Sequence, residues 1–252
     1  MPDRSRPLRS LNGDIPVVSM AFTPDGRLLA AAGLGSGARV WDVASGRKVR
    51  RLAIHRYHAY GVAFSPDGSL LAAAGGDATA RLWEVASGAE ARTLSGHTSS
   101  VTGVAFSPDG SLLATAGNDK TARLWRVSTG LAVRRVSGHT SGVTGVAFSP
   151  DGSLLATTGM DKAVRLWDVA SGAPARTLSG HTRGVNQAAF SPDGSLLATG
   201  AGDKTVRLWE VASGAPVRTL YGHTNWVSAV AFSPDGSLLA TAGIDQTVRL
   251  WG

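Results

Sequence analysis

Tryptophan recurs along this chain at a fixed spacing of 42 residues, at Trp41, Trp83, Trp125, Trp167, Trp209 and Trp251. Each follows a leucine or valine, preceded in turn by an arginine. A period of this length means that one supersecondary unit has been copied and that each copy buries itself against its neighbours. Six such periods account for all 252 residues, so one continuous repeat domain over 1–252 is expected. Only Trp226 stands outside the series.

One copy shows what is repeated. The third, "VTGVAFSPDGSLLATAGNDKTARLWRVSTGLAVRRV", divides into four short apolar runs separated by turn signals, the pattern of a four-stranded antiparallel meander. Strands are expected near Val101 to Phe106, Ser111 to Ala116, Thr121 to Val127 and Ala132 to Val136. In the SPDG turn from Ser107 to Gly110, proline fixes φ, aspartate caps with its side chain and glycine supplies positive φ. A sheet this small has two faces to cover, and radial stacking of the copies covers both. The fourth strand remains outermost, where Arg134, Arg135, Arg218, Pro174 and Pro216 discourage edge-to-edge pairing.

Composition narrows the function classes. Hydrophobic residues make up 43%, enough for a sizeable core, and 32 glycines imply many turns. No apolar run approaches membrane-spanning length, and "MPDRSRPLRS" lacks the apolar centre of a signal peptide. We therefore expect a soluble, cytoplasmic chain, and the glycine and alanine content without cysteine points to a bacterial one. Absent cysteines exclude disulfides, thiol catalysis and cysteine-ligated zinc. The net charge of +7 raises nucleic acid or an anionic surface as a partner, but Arg39, Arg81, Arg123, Arg165, Arg207 and Arg249 spread that charge evenly around the repeats.

The repeated residues resemble the WD-repeat β-propeller family: a GH pair such as Gly96 and His97, a tight-turn aspartate such as Asp119, and the tryptophan ending the third strand, followed by Asp42, Glu84, Asp168 or Glu210. The copies depart from that pattern where Arg126 follows Trp125 and Gly252 follows Trp251, and where the first copy lacks both the GH pair and the turn aspartate. The resemblance implies an all-β, six-bladed propeller of four-stranded antiparallel blades. It also implies a ring closed by an N-terminal strand: "LRSLNG" at Leu8 to Gly13 matches "VRTLYG" at Val217 to Gly222 and would complete the last blade. Seven blades are commoner in the family, so the alternative is a fragment, or an assembly whose ring needs another chain.

Four copies place histidine, threonine and aspartate together: His97, Thr115 and Asp119; His139, Thr157 and Asp161; His181, Thr199 and Asp203; His223, Thr241 and Asp245. Such sets look like hydrolase machinery, yet an enzyme needs one site with an oxyanion hole, not four equivalents. With Trp125, Trp167, Trp209 and Trp251 they match the family's structural tetrads. The second copy keeps His55, Asp77 and Trp83 but has Ala73, and the first keeps Trp41 with Ala31 and Gly35. With those histidines assigned, only His58 is free, so no metal site is expected. "GLGSG" at Gly33 to Gly37 and "GNDKT" do not fit dinucleotide or P-loop patterns. Neither a cofactor nor catalysis is expected.

Three columns differ most between copies. They read Pro16, His58, Ser100, Gly142, Gly184, Trp226; then Val18, Tyr60, Thr102, Thr144, Asn186, Ser228; then Leu34, Gly76, Asn118, Met160, Gly202, Ile244. All lie on connections that leave one face of the disc, whereas the SPDG and ASG turns of the other face are nearly invariant. In G-protein β subunits, which this chain resembles through the shared repeat, the same columns line the partner-binding surface. In a closed ring the sixth, first and second blades are neighbours and would present Trp226, Ser228, Ile244, Leu34, Val18, His58 and Tyr60 together. An exposed apolar cluster of this kind marks a protein interaction site. The expected function is a monomeric, non-catalytic scaffold for a protein or peptide. Alternatively, Trp226 packs over the central opening on its own blade, and Met160 and Arg183 are isolated surface residues. Two other functions compete: a structural, recently amplified module cut from a larger bacterial signalling protein, or a weak nucleic-acid or anionic-surface binder using Arg56 and Arg183.

Overall fold

A computed structural model of the chain describes residues 11, 16–34, 37–52 and 58–252. Six sheets follow one another along the sequence. Blade one contains β1 (Val17–Phe22), β2 (Leu28–Gly33), β3 (Ala38–Asp42) and β4 (Lys48–Leu52). Blade two contains β5 (Ala59–Phe64), β6 (Leu70–Gly75), β7 (Thr79–Glu84) and β8 (Glu90–Ser95), and blade three β9 (Val101–Phe106), β10 (Leu112–Gly117), β11 (Thr121–Arg126) and β12 (Ala132–Ser137). Blade four is built from β13 (Val143–Phe148), β14 (Leu154–Gly159), β15 (Val164–Asp168) and β16 (Pro174–Leu178), and blade five from β17 (Val185–Phe190), β18 (Leu196–Ala201), β19 (Val206–Glu210) and β20 (Pro216–Leu220). Blade six has β21 (Val227–Phe232), β22 (Leu239–Gly243) and β23 (Val248–Trp251). Within each blade the strands pair antiparallel in chain order, and the molecule is an all-β, six-bladed propeller.

The blade-three strands fall within a residue of the sequence expectation because the turns fix them. Ser107 Oγ donates to Asp109 at 2.5 Å and accepts the Leu112 N–H at 2.9 Å, while Gly110 takes φ +71°, a left-handed value that favours glycine. In all five four-stranded blades, pairing of the third and fourth strands slips by one residue at the tryptophan, a bulge that increases local twist.

The core lies between blades. Ala122, Leu124 and Val136 of blade three pack against Leu155 and Trp167 of blade four, and equivalent clusters fill the one–two, two–three, four–five and five–six junctions. Leu71, Leu113, Leu155 and Leu197 are fully buried, each contributing roughly 1.5–3 kcal/mol by removal from water. The faces that would meet between blades six and one differ: Met20 and Phe22 are exposed, as are Val248 at 72% and Leu250 at 66%. Apart from Leu11, the segment expected to close the ring, Leu8 to Gly13, lies outside the described residues. So do Gly35 and the stretch from Ala53 to Tyr57 that holds His55 and Arg56.

Candidate functional site

The four expected tetrads are assembled in blades three to six. In blade three, His97 Nε2 lies 2.8 Å from Thr115 Oγ1, His97 Nδ1 lies 2.9 Å from Asp119, and the Trp125 Nε1–H donates to Thr115 Oγ1 at 2.9 Å. His139, Thr157, Asp161 and Trp167 repeat these distances, as do His181, Thr199, Asp203 and Trp209. His223, Thr241, Asp245 and Trp251 differ only in a 3.0 Å tryptophan bond. Each aspartate also accepts the N–H of the residue after its histidine, at 3.0 Å for Thr98.

Charge is settled inside these sets. Burial lowers the pKa of His97, His139 and His181 below the ordinary histidine value, against the opposing pull of the neighbouring carboxylate. Burial also works against ionised Asp119, but hydrogen bonds from Thr121, Thr98 and His97 together outweigh it, and its carboxyl titrates below the usual range. A neutral imidazole therefore donates from Nδ1 to a carboxylate and accepts the threonine proton at Nε2. Thr157 is 0% exposed and its oxygen already accepts from Trp167, so this hydroxyl has no surface to offer a substrate. The arrangement pins the strand-four-to-one connection onto its blade. In blades one and two, Ala31 and Ala73 occupy the register of these threonines, opposite Arg39 and Arg81, so Trp41 and Trp83 meet no such hydroxyl. Among the described residues, no histidine, aspartate and glutamate cluster is suited to a metal ion.

The two mouths of the central channel carry different residues. One opens into a hollow of about 700 Å³ lined by Phe22, Phe64, Phe106, Phe148, Phe190, Phe232 and the prolines of the SPDG turns. The other, of about 610 Å³, is ringed by the whole second variable column: Val18, Tyr60, Thr102, Thr144, Asn186 and Ser228. Part of that column is structural. Thr102 Oγ1 donates to the Val143 carbonyl at 2.6 Å, Thr144 Oγ1 to that of Val185 at 2.5 Å, and Asn186 Nδ2 to that of Val227 at 2.7 Å, each bridging to the next blade. Ser228 instead bonds Ala242 of its own blade.

The remaining expected site residues are distributed as follows. His58 stands edge-on to Tyr60 with ring centroids 6.2 Å apart. Leu34 and Ile244 are exposed. Trp226 is 42% exposed and leans over blade five, its indole 3.7 Å from where a Cβ on Gly202 would lie. The hollow that holds it, about 420 Å³, is formed with Met160, Lys162, Thr182, Arg183, Gly184, Asn186 and Gly202 of blades four and five. None of the other six residues expected to accompany Trp226 lines that hollow. Met160 and Arg183, expected to stand alone, are its companions. The signal missed is angular: the first column of one blade sits over the third column of the blade before it, as Ser100 Oγ on the Gly76 carbonyl at 3.3 Å also shows.

Repeated radial sheets, buried polar sets that lock four of them and one face free to vary define a repeat propeller. The WD domain, G-beta repeat model matches residues 5–42, 46–84, 88–126, 130–168, 172–210 and 214–252, and the chain belongs to that family. Comparison with curated proteins gave no match. Propellers of this family are generally non-enzymatic scaffolds for protein interaction. No helix in the described residues is long and apolar enough to cross a membrane.

Proposed function

We propose that this propeller is a protein- or peptide-binding platform whose working surface is the variable face, with Trp226 as its anchor. One observation carries the reading: the residues that differ between otherwise near-identical copies gather on one face, and there a large aromatic side chain is left partly exposed beside a hollow. The six tryptophans of the series lie at or next to the end of a third strand, and five of them are buried, whereas Trp226 lies on a connection. Burying an indole of about 200 Å² at ~25 cal/mol/Å² is worth up to roughly 5 kcal/mol before ordering costs, and the part of Trp226 already covered reduces this. Val18, Tyr60, His58, Ser228, Leu34 and Ile244 form the surrounding surface of the same proposal. The chain acts as a cytoplasmic monomer without a cofactor.

The test is capture of a partner from cell extract by wild type and by the Trp226→Ala, Tyr60→Ala double variant. Loss of capture with an unchanged thermal midpoint is expected. A large drop in midpoint would instead show that these rings serve packing.

A further inference from the structure

We propose that the hollow bounded by Met160, Arg183 and Trp226 is a docking groove for an acidic peptide that inserts one apolar side chain. This rests on the platform reading and adds to it a place and a ligand chemistry.

The hollow exists because blade five carries glycine at two positions: Gly184, where blade six carries Trp226, and Gly202, where blades four and six carry Met160 and Ile244. A Cβ on Gly184 would meet Met160 Sδ at 2.9 Å, and one on Gly202 would abut the Trp226 indole and the Arg183 side chain. Bare backbone therefore forms the floor, and Met160, 51% exposed, and Trp226 form apolar walls. The volume of about 420 Å³ admits a leucine or phenylalanine side chain with its flanking backbone.

The rim gives the ligand its sign. Lys162 and Arg183 are the charged residues of the lining, and no carboxylate joins them. The nearby carboxylates are committed elsewhere: Asp161 to His139 and Arg165 at 2.9 Å each, and Asp203 to His181 at 2.9 Å. Two cations in a lining that holds no carboxylate, beside an apolar pit, attract carboxylates that flank a hydrophobic side chain. A nucleic acid would need a longer track of cations and has no apolar side chain to fill the pit.

The experiment is fluorescence anisotropy with a labelled peptide carrying a central phenylalanine between glutamates, against the same peptide with lysines in place of the glutamates and a single-stranded RNA oligonucleotide. The acidic peptide should bind at least about tenfold more tightly than the lysine peptide. Raising the salt from roughly 50 to 300 mM should weaken that binding. Gly202→Met, which installs the side chain blade four already carries in this column, should weaken it by about tenfold or more with the charge unchanged. Arg183→Glu with Lys162→Glu should abolish it, and the thermal midpoint of each variant checks that it is folded. Equal affinity for the lysine peptide, tighter binding of the RNA, or no binding at all would overturn the groove. Acidic-peptide binding that ignores Gly202→Met but is lost with Tyr60→Ala would also overturn it, while leaving the platform reading intact at the axial opening.

Discussion

At Thr157 a single hydroxyl serves two partners, accepting from the Trp167 indole and donating to His139 Nε2, with no exposure to water. Removing it orphans both. Thr157→Val keeps the shape but should cost about 3 kcal/mol, because each buried group left unpaired forfeits roughly 1–3 kcal/mol. Urea denaturation reads this directly, and a change below ~0.5 kcal/mol would mean that water replaces the hydroxyl. The same sets make stability depend on pH. His97, His139 and His181 have folded pKa values below the unfolded value near 6.5, so the unfolded chain takes up protons first as pH falls. Their contribution is complete above pH ~6.5 and is lost progressively below it. Asp119, Asp161 and Asp203 are also depressed, and their contribution is present above the unfolded value near 3.8 and disappears below it. Both effects have one sign: the urea midpoint should decline from pH 7 to 5 and fall again below pH 4. A midpoint that rises between pH 7 and 5 would contradict this.

At the scale of the element, what joins blades matters more than what forms them. Inner strands are linked by side chains such as Thr102, and outer strands by arginines, with Arg134 reaching the Ala170 carbonyl at 2.9 Å and Arg50 that of Ala86 at 2.6 Å. Thr102→Val removes a cross-blade bond to the Val143 carbonyl, so a loss of about 1 kcal/mol is expected in equilibrium unfolding. The outer Arg134→Ala should cost less, within ~0.5 kcal/mol, because its guanidinium is exposed to water that can replace it. Equal losses would show that exposure does not discount the outer bond. The same distinction explains what could be read from the sequence. Strands, turns and tetrads were legible because each depends on residues at fixed offsets within one copy: Ser107 caps its own turn, and Thr115 faces its own Trp125. The hollow was not legible, because it depends on how far one blade is rotated against the next. Periodicity says that blade six follows blade five, but not that Trp226 overhangs Gly202. Likewise Thr102, Thr144 and Asn186 read as variable surface, although each carries a bond across a junction.

For the whole molecule, the junction between blades six and one decides whether the parts make a ring. The other five junctions bury continuous apolar clusters, while here Met20, Phe22, Val248 and Leu250 are exposed. Apolar surface exposed in this way favours association, and the repeat suggests what would cover it: Leu8 to Gly13 matches the fourth strand of blade five. Blade five pairs Val206 with Leu220, and the same register would set Leu11 opposite Val248 on β23. Residues opposed in an antiparallel pair lie roughly 4.5–5.5 Å apart at Cα, within disulfide reach. The chain has no cysteine, so a Leu11→Cys, Val248→Cys variant tests the pairing without competing thiols. Closure by the chain's own strand should yield a bond within one molecule, unchanged mass in ultracentrifugation and a raised thermal midpoint. Locking a loop that spans nearly the whole chain is worth up to about 5 kcal/mol on the chain-entropy account. Leu11→Cys with Arg249→Cys, one residue out of register, should cross-link poorly. Bonds formed between chains, accompanied by dimers or larger species, would show instead that the seam is covered by a second molecule and that the ring is an assembly.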